Sequence, residues 1–232
     1  LRTVTGVQTC ALPISESDTA LRVHLYAQGD AEARVAGQTI RLHTDTRYPW
    51  DGMIRLRLTP ERAARFALEL RIPDWCAKFS VAVNGTLLRL KPAKGYLRIR
   101  RRWEAGDTVV LQLSMPVLRL EANPKVRMNC GRVALQRGPI VYCFEEADNG
   151  RELNDLVLPA SAKFRPVFLK HQLGGIAVLR GPALRRRSWP SKSLYRPAPT
   201  ARRLVSATAV PYCVWGNRVP GREMLVWVQS GR

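Results

Sequence analysis

The sequence predicts an all-β chain of two consecutive antiparallel β-sandwich domains, and three observations carry that expectation. From residue 21 onward apolar and polar side chains alternate with a period of two, the pattern of a strand with one face buried and one in water. Sixteen glycines and sixteen prolines are spread through 232 residues rather than bunched, as many short elements joined by turns require. No stretch in the first half repeats its apolar residues at helical spacing. The length allows two domains of about 100 residues each.

The elements follow in order. Leu21, Val23 and Leu25 alternate with Arg22 and His24, and Ile40 and Leu42 alternate with Arg41 and His43. Ile54, Leu56 and Leu58 stand against Arg55 and Arg57, then Phe66, Leu68 and Leu70 against Ala67, Glu69 and Arg71. Residues 80–83, Asn84-Gly85 and residues 86–90 predict a hairpin, because Asn-Gly supplies the positive φ angles of a type I′ turn. Residues 95–100 and 108–113 predict two more strands around the turn Gly106-Asp107. After Met115-Pro116 the alternation is less regular, with residues 132–135, 140–144, 176–179 and 224–228 as the better strands. A domain boundary near Pro116 then gives domains at 21–116 and 117–232, the second carrying a basic, proline-rich loop at about 180–203.

Residues 4–14, VTGVQTCALPI, match in all eleven positions the translation of a common sequencing-library adapter. Residues 1–20 are therefore expected to be an artefact or disordered, with the native chain continuing upstream. Setting Cys10 aside leaves Cys76, Cys130, Cys143 and Cys213, none of them in a CxxC pair. Cysteines so spaced are expected to be buried free thiols, and spacing alone does not choose a disulfide among them.

The formal charge is +20, from 38 Lys and Arg against 18 Asp and Glu. A charge of that size raises nucleic acid as a partner, but its distribution weakens the idea. Residues 180–203 alone hold eight basic and no acidic side chains, with Pro182, Pro190, Pro197 and Pro199, and are expected to form a flexible loop. Most other basic residues occupy alternate strand positions, as on a solvated sheet face, and they do not interleave with aromatics in a single-strand-binding pattern. No nucleic-acid partner is expected, and no membrane partner, since the apolar runs fall short of the ~18 residues of a span.

Little in the sequence supports catalysis. There is no G-x-S-x-G, P-loop or dinucleotide fingerprint. His24 and His43 sit on strand positions expected to face solvent, and His171 has no Cys, His or carboxylate at a metal-ligand spacing. Glu145-Glu146 is the obvious carboxylate pair for glycoside hydrolysis, but successive side chains of a strand point to opposite faces, so the pair is expected at a strand end in solvent. Asp51, Asp74 and Asp107 lie in turn-like contexts. No catalytic, cofactor-binding or metal-binding residue is therefore assigned. The two aromatic clusters, Tyr48-Pro49-Trp50-Asp51-Gly52 and Tyr212-Cys213-Val214-Trp215, are the remaining places where a flat ring beside polar groups meets the surface.

Six strings in order, TRYPWDGMIRLRL, FALELRIPDWC, VAVNG, GYLRIRRRWEAGD, RVALQRGPIVYCFE and TAVPYCVWGNRVPGREMLVWV, closely resemble the non-catalytic C-terminal half of glycoside hydrolase family 127, the β-L-arabinofuranosidases. The resemblance runs from about residue 21 to 228 and is weakest over residues 150–203; His24 departs from the Asn expected before Leu25-Tyr26. It implies a helical (α/α)6 catalytic barrel upstream, followed by a middle and a C-terminal β-sandwich. It also implies that a zinc-bound cysteine nucleophile and a glutamate acid/base lie in that barrel. The Cys-Cys-Pro-Pro signature of the nucleophile is absent here, and Cys76, Cys130, Cys143 and Cys213 match none of the family's positions.

The resulting expectation is a fragment that supports its own catalytic barrel, is inactive alone and carries no cofactor, while the whole protein hydrolyses terminal arabinofuranosyl-type linkages. Tyr48, Trp50 and Asp51 are its candidate contacts with the barrel or with sugar. The alternatives are a stand-alone carbohydrate-binding β-sandwich protein, for which the aromatic clusters speak, and a nucleic-acid-binding protein, for which only the charge speaks.

Overall fold

The computed structural model describes residues 13–186, 194, 195, 197, 202–219 and 222–231. Within it the chain divides into two compact units, 1–115 and 116–232.

Among the described residues unit 1 contains ten strands: Ile14–Ser17 (β1), Ala20–Val23 (β2), Gly29–Val35 (β3), Gln38–Thr46 (β4), Met53–Pro60 (β5), Ala64–Arg71 (β6), Phe79–Val83 (β7), Thr86–Leu88 (β8), Tyr96–Trp103 (β9) and Thr108–Leu113 (β10). They form a four-stranded sheet, β1-β2-β6-β9, and a six-stranded sheet, β3-β4-β5-β10-β7-β8. The core-facing alternate residues of the two sheets share one apolar cluster. Leu21, Leu68, Leu97 and Trp103 come from the first sheet, and Ile40, Leu56, Val83 and Leu111 from the second. Each buried aliphatic side chain of this kind contributes about 1.5–3 kcal/mol, so the period of two read from sequence is also the main stabilising term. The Asn84-Gly85 turn has φ of 50° and 81°, as its hairpin needs.

Two expectations change in unit 1. β2 and β6 pair in parallel, not antiparallel, with Leu21 opposite Leu68. The chain leaves the first sheet after β2, builds β3, β4 and β5 in the other, and returns in the same direction, which is the crossover a parallel pair requires. The stretch expected to be an artefact or disordered also contains a strand: β1 pairs with β2 from Ile14 opposite Val23 to Ser17 opposite Ala20. Residues 1–12 lie outside the described residues.

Unit 2 contains Val117–Glu121 (β11), Arg132–Arg137 (β12), Ile140–Glu145 (β13), a one-turn helix Glu146–Asn149 (α1), Leu156–Pro159 (β14), Arg165–Leu169 (β15), Ile176–Arg186 (β16), Arg202–Pro211 (β17), Met224–Leu225 (β18) and Val228–Gly231 (β19). Pairing runs β12-β19-β14-β16-β17-β13 and returns to β12, so the sheet closes on itself. Closure leaves the ring with no free edge. β14 and β19 are a second parallel pair, again unlike the antiparallel expectation. The interior is filled by Tyr142, Phe144, Leu158 and Val178, all essentially inaccessible.

The basic, proline-rich segment departs most from its expected flexible loop. Its flanks are the two longest strands of the unit, paired from Leu179 opposite Ala209 to Arg186 opposite Arg202, with Pro182 opposite Ser206. Sequence reasoning missed them because Ala183, Ala207 and Ala209, the residues facing inward, are too small to register as an apolar stripe. Residues 187–193, 196 and 198–201, the centre of that segment, lie outside the described residues.

Candidate functional site

The turn between β4 and β5 is built by its own sequence. The Tyr48–Pro49 peptide is cis. The Tyr48 N–H donates to Thr46 Oγ1 at 3.0 Å and the Trp50 N–H to the Arg47 carbonyl at 2.7 Å. Asp51 accepts from the Met53 N–H at 3.1 Å and from Arg47 Nε at 2.8 Å, which is turn chemistry combined with an ion pair. Gly52 is required sterically, since a Cβ there would lie 2.0 Å from the Leu113 carbonyl oxygen.

The three candidate residues of this turn do not converge. Tyr48 is half-buried and packs edge-on against Tyr26 at 6.0 Å, with burial raising the pKa of its hydroxyl. Asp51 lines a cleft of about 430 Å³ with Asp45, Thr46, Arg47, Arg55 and Gln112, and neither Tyr48 nor Trp50 lines it. Both cleft carboxylates face arginines, Asp51 at 2.7 Å from Arg47 and Asp45 at 3.5 Å from Arg55. Such a cleft offers alternating donors and acceptors suited to sugar hydroxyls, with no acid and base poised across one bond.

In unit 2, Tyr212 lines a groove of about 640 Å³ with Met128, Val141, Leu225 and Trp227. Met128 is 86% exposed there, and Trp215 nearby in sequence is 42% exposed. The groove is assembled from four separate stretches of chain, around residues 128–132, 141, 212 and 224–227, so no periodicity signals it.

Glu145 overturns its expected position in solvent: its side chain is 5% exposed. It accepts from the Gly216 N–H at 2.7 Å and from Arg218, whose guanidinium also binds Asp148 at 2.9 Å. Hydrogen bonds that Arg218 donates to Asp148 and Glu145 hold its pKa above the ordinary arginine value against the opposing effect of burial. Glu146 instead takes the Glu223 N–H, so the two carboxylates serve different partners. Nothing local marks Arg218, which comes from a loop 73 residues along the chain from Glu145.

Of the remaining candidates, His24, His43 and Asp107 have structural partners. His24 is half-buried rather than solvated, because β1 and β9 flank it: its Nε2 lies 2.8 Å from Ser15 Oγ and its Nδ1 2.6 Å from the Tyr96 hydroxyl. His43 is exposed beside Asp30 at 2.7 Å. His171 and Asp74 are exposed. Asp107 caps its turn by accepting from Asn84 Nδ2 at 2.6 Å and the Glu104 N–H at 2.9 Å. Burial raises its pKa, but those hydrogen bonds and nearby Arg101 outweigh it and hold the carboxyl below the usual range.

Among the described residues no three side chains of His, Cys, Asp or Glu assemble as donors for a metal ion. The zinc that the resemblance implies for a catalytic barrel therefore finds no fitting donor set in these strands. All four described cysteines are free thiols, but only Cys76 and Cys143 are buried; Cys130 and Cys213 are exposed, contrary to the expectation of burial. Burial, then the charge of Glu145, pushes the Cys143 thiol up to about 12, which suppresses the reactive thiolate. In the native chain a maleimide is expected to modify Cys130 and Cys213 rapidly, and Cys76 and Cys143 only after unfolding. Peptide mapping by mass spectrometry reads each position, and native labelling of Cys143 ahead of Cys213 would contradict the assignment.

Comparison with known proteins places these features. Residues 20–115 match the middle domain of the β-L-arabinofuranosidases of glycoside hydrolase family 127, and residues 117–229 match the family's C-terminal domain. A non-reducing end β-L-arabinofuranosidase of Bifidobacterium longum subsp. longum is 33% identical over 221 residues, covering 88% of this chain and 32% of that protein. The crystal structure of a family 127 β-L-arabinofuranosidase from Geobacillus stearothermophilus T6 superposes with a TM-score of 0.88 at 44% identity, over 94% of this chain and 35% of that one. A structure described as a family 127 β-arabinofuranosidase gives a TM-score of 0.85 at 31% identity, over 94% of this chain and 36% of the other. The chain thus spans about a third of the length of these relatives. With both domains matched in order across nearly all of its length, the chain belongs to glycoside hydrolase family 127.

Proposed function

We propose that this chain is the non-catalytic β portion of a β-L-arabinofuranosidase-like glycoside hydrolase, and that its work is to brace a helical catalytic barrel. The whole protein, on this reading, releases terminal arabinofuranosyl residues from glycans. The observation that carries the proposal is the pair of consecutive matches, to a middle and then a C-terminal domain, in a chain covering 32% of the Bifidobacterium enzyme.

The groove beside Tyr212 and Trp227, with Met128 86% exposed on it, is proposed as the surface that the barrel covers. Trp50 and Asp51 are proposed as a second contact. The chain alone is expected to leave p-nitrophenyl β-L-arabinofuranoside intact and to self-associate in light scattering. Co-expression with the remaining N-terminal portion of the Geobacillus relative is expected to yield a soluble, active complex. Turnover by the chain alone would overturn the proposal. The carbohydrate-binding alternative requires retardation on neutral arabinan in affinity electrophoresis that is lost in Trp50→Ala.

A further inference from the structure

The outer face of the β1-β2-β6-β9 sheet is cationic to a degree that its fold does not require. Arg22 on β2, Arg65 and Arg71 on β6, and Arg98, Arg100 and Arg102 on β9 all point away from the core and are exposed. The one carboxylate among them, Glu69, is buried and held by Arg22 at 2.6 Å and Arg98 at 3.6 Å. Among the described residues Arg65, Arg71, Arg100 and Arg102 have no acidic partner within ion-pair distance. Arg65 stands directly opposite Arg102 in the ladder, an arrangement of like charges that destabilises a sheet.

The other sheet of the same unit shows that this is not a uniform consequence of an arginine-rich chain. On its outer face Asp30 stands opposite His43, Glu32 opposite Arg41, and Asp45 opposite Arg55, each pair in ladder register and in contact. That face sets Asp30, Glu32 and Asp45 against Arg34, Arg41, Arg55 and Arg57 and is nearly balanced, whereas the other face sets six arginines against Glu69 alone. The field of the charged face is felt by its neighbour: burial first, then Arg22 and Arg71, lowers the pKa of His24.

Alternate residues of a strand lie about 7 Å apart and adjacent strands about 5 Å apart. The guanidinium groups therefore form a flat array with a repeat along β9, matched to a ligand that carries many anionic groups along one chain. Guanidinium forks bind carboxylates in bidentate fashion and keep their charge at all relevant pH. The array offers little to a nucleic acid. Among the described residues the rings on this face are Tyr96 and His24, packed edge-on against each other at 5.7 Å, and Arg22 already covers Tyr96 at 5.1 Å, so successive bases have no stacking platform.

We propose that this arginine face binds carboxylate-bearing polysaccharide, a polyuronate, and so holds the protein on acidic glycan. Only the choice of a polysaccharide rests on the reading of the chain as part of a glycan-acting hydrolase; the anionic requirement rests on the face itself.

The test is affinity electrophoresis and biolayer interferometry of the full chain on polygalacturonate, on the same polymer after methyl esterification, on neutral arabinan and on single-stranded and duplex DNA. Binding to polygalacturonate is expected to weaken steeply with salt and to vanish on the esterified and neutral polymers. Arg100→Gln/Arg102→Gln is expected to lower affinity at least tenfold. The paired control Arg41→Gln/Arg57→Gln, on the other sheet, is expected to change it less than twofold, with circular dichroism confirming that both variants fold. Equal losses in the two variants, or none in either, would assign retention to net charge and overturn the site. Tighter binding to DNA than to polygalacturonate at matched salt would overturn the ligand class. An inactive co-expressed complex with polygalacturonate binding intact would fault the hydrolase reading and leave this one standing.

Discussion

Arg218→Met is expected to destabilise unit 2 by about 3–5 kcal/mol, because it leaves the Glu145 carboxylate buried without its cation. Glu145 keeps only the Gly216 N–H in that variant, and Asp148 loses both of its bonds to the guanidinium. Burial decides the size. Arg41 and Glu32 form a pair of ordinary length at 2.9 Å, but their side chains are 73% and 62% exposed. Arg41→Ala is therefore expected to cost no more than about 1 kcal/mol. Chemical denaturation followed by far-ultraviolet circular dichroism measures both. The double variant Arg218→Met/Glu145→Gln is expected to recover much of the loss, since removing both charges is far less costly than stranding one. A double variant no more stable than Arg218→Met would mean that the guanidinium stabilises by packing and not by pairing.

Trp103→Ala is expected to cost unit 1 a similar amount, about 3–5 kcal/mol. Trp103 is completely buried, the largest such side chain among the described residues. Its ring packs against Phe66 at 6.0 Å, and its Nε1–H donates to the Phe66 carbonyl at 3.2 Å, joining β9 to β6 by side chain as well as by ladder. Trp103→Phe keeps most of the apolar area but not the N–H, and is expected to lose less. Hydrogen exchange of the β6 and β9 peptides localises the effect, and unchanged protection there would contradict the role of this contact.

Unit 1 was legible because each core strand carries large aliphatic residues at every second position, so local pattern and tertiary burial agree. β3 was not, since Ala33 and Val35 are its only buried residues and its exposed face is charged. β16 and β17 were hidden by small inward residues and by the basic charge around them. The Asn84-Gly85 turn was legible from two residues because its φ angles are a property of those residues. The parallel pairings were not, because the direction in which two strands meet depends on where the intervening chain travels.

The candidate site divides in the same way. The Tyr48-to-Gly52 turn was found from its residue types, yet sequence could not tell that Tyr48 faces Tyr26 while Asp51 faces the cleft. The Glu145–Arg218–Asp148 cluster and the apolar groove join residues far apart in sequence, and only the closed sheet of unit 2 brings them together. By itself the sequence determined the all-β class, the boundary near Pro116 and the family resemblance, all of which reside in local alternation and short strings. The tertiary structure alone decided which charges are buried, which are paired and which stand unpaired on one face, because strand register sets the neighbour of each arginine, with Arg98 opposite Glu69 but Arg65 opposite Arg102.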